Sequence, residues 1–230
     1  MKKIVVLTGA GVSAESGINT FRDADGLWEG HDVMEVATPQ GFAQNPHLVL
    51  EFYNERRRQL STVFPNAAHK ALSALEKHYQ VHIITQNVDD LHERAGSSNV
   101  LHLHGELLKA RSTANPEVVI DWKSDIKIGD SASDGSQLRP HIVWFGEDVP
   151  MLPKAAETTS MADIIIIIGT SMQVYPAAGL VHYAPLHSPI YFIDPKPNIK
   201  ASDFNNLRIL QGRAVDKVPT LVSDLIDKAL

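Results

Sequence analysis

The apolar positions of this chain fall into runs of two kinds. Ile4 to Leu7 and Ile164 to Ile168 are short, β-branched and uninterrupted, and glycine stops each of them, at Gly9 and Gly169. Runs of that length without alternation predict strands buried on both faces, the mark of a parallel sheet. Val81 to Ile84 and Pro189 to Ile193 predict two further strands. Helical spacing separates them, as from Ala67 to Tyr79, where Ala68, Ala71, Leu72 and Leu75 share one stripe. Strands alternating with helices imply an open α/β sheet that takes ligands at the carboxyl ends of its strands. Gly9, Gln86, Asn87 and Gly169 all fall at such ends. Two stretches fit the sheet poorly. Residues from about 25 to 64 hold no clear strand but a helical pattern from His47 to Leu60. Residues 109–138 are polar, rich in Ser, Asp and Gly, and weak in helix signals. Both read as insertions forming a small module over the strand ends, within one domain spanning 1–230.

Composition narrows the field. The 230 residues suffice for one sizeable core, and 43% hydrophobic with 21% charged residues is an ordinary globular balance. A formal net charge of −6 argues against nucleic acid as the main partner, since phosphate binding needs a basic surface. The chain has no cysteine, which excludes disulfides, thiolate zinc sites and a cysteine nucleophile. After Met1-Lys2-Lys3 only four apolar residues precede Thr8-Gly9, too few for a signal peptide, and no apolar run reaches membrane-spanning length. The expectation is a cytoplasmic monomer with neither membrane nor nucleic-acid partners.

Gly9-Ala10-Gly11-Val12-Ser13-Ala14 follows the first strand and is expected to open a helix. It fits a relaxed dinucleotide pattern, in which glycines admit a pyrophosphate and N–H groups at the helix start bind its charge. A turn needed only for tight strand-to-helix packing would look the same. The acidic residue expected after a second strand is not identifiable.

Further motifs enlarge the picture. The glycine turn continues through Glu15-Ser16-Gly17-Ile18 to Phe21-Arg22. Gln86-Asn87-Val88-Asp89-Asp90-Leu91-His92, His104-Gly105, Val143-Trp144-Phe145-Gly146-Glu147 and Gly169-Thr170-Ser171 with Val174 and Pro176-Ala177 come after it in order. This succession resembles the five signatures of the sirtuins. The resemblance implies a Rossmann-like parallel sheet with a small module and NAD held in the cleft between them. It also implies a reaction: the acyl oxygen of a modified lysine attacks the ribose carbon bearing nicotinamide, nicotinamide leaves, and a histidine then activates a ribose hydroxyl. The products are lysine, nicotinamide and O-acyl-ADP-ribose. Protein ADP-ribosylation is the alternative activity, one that some sirtuin relatives carry.

His104 matches the position of that histidine, and an imidazole titrating near neutrality suits the task. His102, two residues earlier, would share its face of a strand, so spacing alone does not separate them. The resemblance puts Asn87 and Asp89 beside the nicotinamide, Gln86 on the ribose, and Phe21 and Arg22 around the nicotinamide-ribose pocket. A plainer role for Asn87 or Asp89 is to cap the helix that begins near Leu91. Gly9, Ala10, Gly11 and Ser13 belong to the dinucleotide turn. Gly169, Thr170 and Ser171 are expected at phosphate or ribose, Asp194 at the adenosine ribose, and Ala214 near the adenine. An aspartate at 194 disfavours a 2′-phosphate, which suits NAD and not NADP.

Most sirtuins hold a structural zinc on two cysteine pairs between the catalytic histidine and the Trp-Phe-Gly-Glu signature. This chain has none, and Asp121, Asp125, Asp130 and Asp134 are scattered carboxylates that make poor zinc ligands. The segment is expected to be held by packing, with Val118, Val119, Ile120 and Trp122 as the source. Tyr53 and Arg56 lie three apart on the predicted helix and resemble the Tyr-x-x-Arg pair of sirtuins that remove acidic acyl groups. A guanidinium fork and a phenol suit a succinyl or malonyl carboxylate, and the small Ala37 leaves room. Against this, Arg56-Arg57-Arg58 is a charge run that suits a solvated face equally well. Val143, Trp144 and Phe145 are expected to form the strip along which a substrate peptide adds as an extra strand.

Overall fold

The computed structural model describes residues 1–19, 27–28 and 30–228. Strand β1 (Lys3–Thr8) is followed by a small hairpin, β2 (Leu27–Trp28) and β3 (His31–Asp32), and by helices α1 (Val33–Val36), α2 (Pro39–Gln44) and α3 (Pro46–Leu60). Next come α4 (Ala67–Leu75), β4 (Gln80–Thr85), α5 (Leu91–Arg94) and β5 (Val100–His102). A second sheet follows, β6 (Gly105–Ser112), β7 (Val119–Asp121) and β8 (Leu138–Ile142). The chain then returns through α6 (Leu152–Ser160), β9 (Ile164–Ile168), β10 (Ile190–Asp194), β11 (Leu207–Gln211) and α7 (Ala214–Asp227).

The large sheet has the order β11-β10-β9-β1-β4-β5, and every pairing in it is parallel. The isoleucine run of β9 is buried throughout, with Ile165 to Ile168 at 0% exposure. Each such side chain contributes roughly 1.5–3 kcal/mol by leaving water. One face packs on α4 and α7 through Leu72, Leu75, Val218 and Leu221. The other packs on α6 and the 3₁₀ turn at Ala177–Tyr183. After β1 the chain builds one half of this sheet, and from β9 onward it builds the other. The topological switch point therefore lies between β1 and β9, where open sheets bind ligands.

The four strands expected from apolar runs all lie in this sheet, and β5 and β11 are additions. Both are edge strands, short or half-exposed, so neither carries an uninterrupted apolar run. The helix expected over Ala67 to Tyr79 stops at Leu75, and the chain turns through residues 76–79. The glycine turn does not open an α-helix. It forms two 3₁₀ turns, Ala10–Val12 and Ala14–Ser16, ended by Gly17 in the left-handed region. Among the described residues no helix is long and apolar enough to cross a membrane.

Residues 109–138 are the middle of an antiparallel sheet in which β6 pairs with both β7 and β8. Helix starts opposite that sheet are written plainly in the sequence. The side chains of Thr38 and Asn45 accept the N–H groups of Gly41 and Leu48, and proline stands first in α2 and in α3. Packing contributes less to the sheet than expected. Val118 and Trp122 do join a small core with Leu50, Ala110, Ile126 and Leu138, but Ile120 is exposed and Val119 only half-buried. Side-chain hydrogen bonds supply the rest. The Ser112 hydroxyl donates to Asp134 at 2.6 Å and accepts the N–H groups of Ala114 and Asn115. The Asn54 amide donates to the Ile126 carbonyl and accepts its N–H, at 3.0 and 2.8 Å. Of the four aspartates, Asp125 pairs with Arg58 and Asp130 accepts the Lys127 N–H. Among the described residues no cluster is arranged to hold a metal ion.

Asn54→Ala is expected to lower stability by about 2–4 kcal/mol, because it orphans both buried backbone groups of Ile126 and an Arg57 donor. Urea unfolding measures this. A loss below about 0.5 kcal/mol would show that the module does not depend on this amide.

Candidate active site

The turns after β1 and β9 touch at the switch point. Gly9 and Gly11 donate their N–H groups to the carbonyls of Ile168 and Gly169, at 3.0 and 2.9 Å. A Cβ on Gly11 would lie 2.6 Å from the Gly169 Cα, and Gly169 itself has φ +59°. These glycines are demanded by backbone against backbone. Their N–H groups are spent on the turn after β9. Ala10 lies between them, half-buried. The Gln86 amide donates to the Thr170 hydroxyl at 3.2 Å and so ties the end of β4 to the end of β9. Thr170 also accepts the Met172 N–H, and Ser171 beside it is half-buried.

Below this junction lies a buried polar cluster. The Ser13 hydroxyl donates to Asp89 at 3.0 Å and accepts from the Asn87 amide at 3.2 Å. Asp89 also accepts the Leu91 N–H, so it holds the start of α5 as well, while Asn87 does not cap that helix. His69 Nδ1 accepts the Asn66 N–H, so its Nε2 carries the proton that faces Ser13 at 3.5 Å. His92 lies against His69, with ring centroids 4.8 Å apart, and Nε2 3.2 Å from the Thr8 hydroxyl. Burial pushes the Asp89 carboxyl up to about 6, partly offset by its Leu91 and Ser13 bonds. Burial also pushes His69 down to about 4 and His92 well below the usual imidazole range. Nothing in the motifs of the chain singles out His69.

The two histidines after β4 differ in their partners. His104 is half-buried, and its Nδ1 lies 3.1 Å from the Gln86 carbonyl. A carbonyl only accepts, so Nδ1 carries the proton and Nε2 keeps its lone pair. Burial lowers the His104 pKa below 6.5, against a smaller upward push from that carbonyl. His102 faces the Asn87 carbonyl at 3.0 Å and the Glu93 carboxylate at 2.8 Å. Gly105 follows His104 in the left-handed region at φ +83°, and any Cβ there would lie 2.0 Å from the His141 carbonyl.

The strip 143–145 continues β8. Val143, Trp144 and Phe145 donate their N–H groups to the His104 carbonyl, Glu147 and the Ala37 carbonyl. Phe145 is exposed and Trp144 buried. Glu147 also takes Arg111 at 2.9 Å and Arg139 at 2.6 Å, and the Arg139 guanidinium lies 3.3 Å over the Trp144 ring. Trp144 Nε1 donates to the Tyr53 hydroxyl at 3.0 Å. Tyr53 and Ala37 are both buried, in one core with Val36, Phe52 and Trp144. Burial raises the phenol far above its usual range, so it stays protonated.

The arginine run is no single solvated face. Arg58 alone is solvated, pairing with Glu51 and Asp125. Arg57 is buried, and it donates to the Leu107 carbonyl and to Asn54. Arg56 has a side chain only 12% exposed, stacked 3.6 Å from the Phe52 ring centre with Glu55 at 3.2 Å. At the far end of the sheet Asp194 is buried and accepts the Lys196 N–H. The Ala214 methyl packs in the core at the first position of α7, so only its backbone is left to meet a ligand. Phe21 and Arg22 lie outside the described residues.

Known proteins resemble this chain in sequence and in fold. The Sir2 family profile matches residues 9–176. An NAD-dependent protein deacylase of Helicobacter pylori (strain ATCC 700392 / 26695) is 60% identical over 229 residues, covering 100% of both chains. One from Bacteroides thetaiotaomicron is 53% identical, covering 98% of this chain and 99% of its own. The crystal structure of a Sir2 homologue–NAD complex superposes with a TM-score of 0.88 at 41% identity, over 100% of this chain and 91% of that one. The chain belongs to the Sir2 family.

The buried carboxyl supplies a test. Its folded pKa of about 6 exceeds the ordinary 3.8, so the stability Asp89 provides is full below 3.8 and lost as pH rises through 6. Asp89→Asn is therefore expected to stabilise the protein at pH 8 by on the order of 1–3 kcal/mol. The gain should vanish well below pH 3.8, where the carboxyl is neutral folded or unfolded. Denaturant unfolding at both pH values measures it, and a variant less stable than the parent at pH 8 contradicts the burial argument.

Proposed function

We propose that this protein removes acyl groups from protein lysine side chains with NAD as co-substrate, and that it accepts succinyl and malonyl as well as acetyl. The observation that carries the reading is His104. Its proton is fixed on Nδ1 by the Gln86 carbonyl, beside a buried carboxamide and carboxyl at the switch point of the sheet.

The residues present fit NAD. Gly9, Gly11 and Gly169 keep the two strand-end turns free of side chains, which lets a dinucleotide approach backbone. Ala10, Ser13, Gln86, Thr170 and Ser171 would line its ribose and phosphates. Asn87 and Asp89 would take the nicotinamide amide and ribose, and Phe21 and Arg22 would enclose them. Asp194 and the backbone at Ala214 would face the adenosine end. Bound NAD supplies an electrophilic ribose carbon and a nicotinamide leaving group. His104 Nε2 accepts the proton of a ribose hydroxyl, which makes that oxygen the nucleophile for the acyl carbon. A pKa below 6.5 keeps the imidazole neutral, hence basic, at pH 7.

The acyl-lysine peptide would lie along Val143 to Phe145, where it meets carbonyls, since the three N–H groups are committed. Its acyl chain would pass Ala37 and Trp144 toward Tyr53 and Arg56. The Glu55 side chain that faces Arg56 is 53% exposed, so this ion pair is worth little and a ligand carboxylate can replace it. The protonated Tyr53 hydroxyl adds a second donor. A long apolar acyl chain would bring no carboxylate to Arg56 and would desolvate the ion pair it makes with Glu55.

Mass spectrometry of the protein with NAD and peptides bearing acetyl-, malonyl-, succinyl- or decanoyl-lysine tests both levels of the reading. Nicotinamide and O-succinyl-ADP-ribose are expected from the succinyl peptide, and His104→Ala is expected to abolish them. Arg56→Met is expected to cut desuccinylation roughly 10- to 100-fold while deacetylation changes by a few-fold at most. Equal losses on both substrates would return Arg56 to a structural role. ADP-ribose attached to protein, with no deacylation of any peptide, would favour the transferase activity.

A further inference from the structure

Four successive carbonyls at the end of β4 are held by one short stretch of chain. Thr85 accepts the Leu103 N–H at 2.9 Å, Gln86 faces His104 Nδ1 at 3.1 Å, Asn87 faces His102 Nδ1 at 3.0 Å, and Val88 accepts the Leu107 N–H at 2.8 Å. Two of these four bonds come from backbone and two from imidazoles. Only His102 has its other ring nitrogen taken as well, by Glu93.

We propose that His102 is a positioning residue that works as an imidazolium, pinning the Asn87 carbonyl on one side while Glu93 anchors it on the other. The argument is one of proton count. A backbone carbonyl and a carboxylate are both acceptors, and a neutral imidazole carries a single N–H. Both bonds exist together only when the ring carries two protons. The His102 side chain is 8% exposed, so a lost bond is not simply replaced by water.

The surroundings favour the charged ring. Glu93 reaches it from α5 and Glu106 from β6, and the Asp89 carboxyl also interacts favourably with it. His92 opposes the charge, but burial keeps that ring neutral. Lys109, which pairs with Glu106, also acts on Glu93. Burial lowers the His102 pKa, yet the Glu93 bond and charge outweigh it and the result is raised. Glu93 is held below its usual range, so it is the ring and not the carboxyl that carries the shared proton.

The consequence is a second titration in the reaction. His104 must be neutral and His102 charged, so activity is expected to rise as His104 loses its proton and fall as His102 loses one. In the alkaline limb the neutral ring has one proton for two acceptors. The Asn87 carbonyl then loses its donor, and the 86–89 turn that carries Asn87 and Asp89 loosens. This role rests on the proposed deacylase reading, because it acts through Asn87.

Glu93→Gln tests it, since this near-isosteric change on a partly exposed helix keeps the fold and removes the counter-charge. The alkaline limb of kcat/KM for NAD is expected to be lost in E93Q, because the glutamine amide can donate to Nε2 and the neutral ring then keeps its Nδ1 proton for the Asn87 carbonyl. His102→Gln is expected to lower kcat/KM for NAD and to lose that limb. Nitrogen-15 NMR of the ring gives a readout independent of activity. Both His102 nitrogens should be protonated at pH 7 in the parent, with a titration midpoint that falls in E93Q. A His102 neutral at pH 7, or an alkaline limb that E93Q leaves in place, overturns the proposal. A parent that deacylates no peptide while His102 titrates as expected sinks the positioning role along with the deacylase reading. The NMR result then shows that the failure lies in the function and not in the charge.

Discussion

Much of this structure hangs on where the carbonyls of residues 85–88 go. At the end of β4 the chain leaves the ladder and carries Gln86, Asn87 and Asp89 in a turn over the strand ends. Its backbone acceptors cannot be left bare there, because a buried carbonyl without a donor costs about as much as a lost hydrogen bond. The stretch from His102 to Leu107 supplies all four donors, two of them side-chain. That arrangement fixes the tautomer of His104, because the Gln86 carbonyl takes the Nδ1 proton. It also starts β6 in a defined place, with Gly105 passing so close to β8 that no other residue fits. The large sheet, the small sheet and the two histidines are thus joined by a single set of backbone demands.

A second constraint governs the small module. Its sheet lacks the thiolates that could hold a metal, and its apolar core is modest. Charged and amide groups compensate. Glu147 gathers Arg111, Arg139 and the Trp144 N–H on one carboxylate, while Asn54 and Arg57 of α3 reach the backbone at Ile126 and Leu107. Buried ions are retained only where several hydrogen bonds satisfy them, and here each bond also joins two elements. The resulting rigidity extends to the 143–145 strip, whose N–H groups are all engaged.

What could be read from sequence follows from what is local. The central strands were legible because burial on both faces writes itself as uninterrupted β-branched runs, and α3 because its spacing and its Pro46 start are local too. β5 and β11 escaped because an edge strand need not be apolar on both sides. The glycines were recognisable as a turn. Their main task, letting the turn after β1 meet the turn after β9, depends on two strands about 160 residues apart becoming neighbours. His102 and His104 looked alike for the same reason, since partners and not spacing separate them. The arginine run was misleading as a unit: three consecutive guanidinium groups meet an aromatic ring, a buried carbonyl and open solvent.

Those three environments bear on how such a module could be firm and still, under the proposed function, choose among acyl groups. The Glu147 carboxylate is half-buried, takes four donors and is paired with two buried arginines, so exchanging a partner would strand those charges in a region of low dielectric. The Arg56–Glu55 pair faces solvent on its acidic side, so swapping Glu55 for another carboxylate leaves nothing stranded. Arg56 itself is held by stacking on Phe52 and by the Phe52 carbonyl, neither of which a ligand must displace. The guanidinium is therefore pre-oriented while its counter-ion is replaceable, the combination that favours an exchangeable anion over a permanent one. Under the proposed reading an acidic acyl group would take the place of Glu55, whose exposed side chain carries little of the framework.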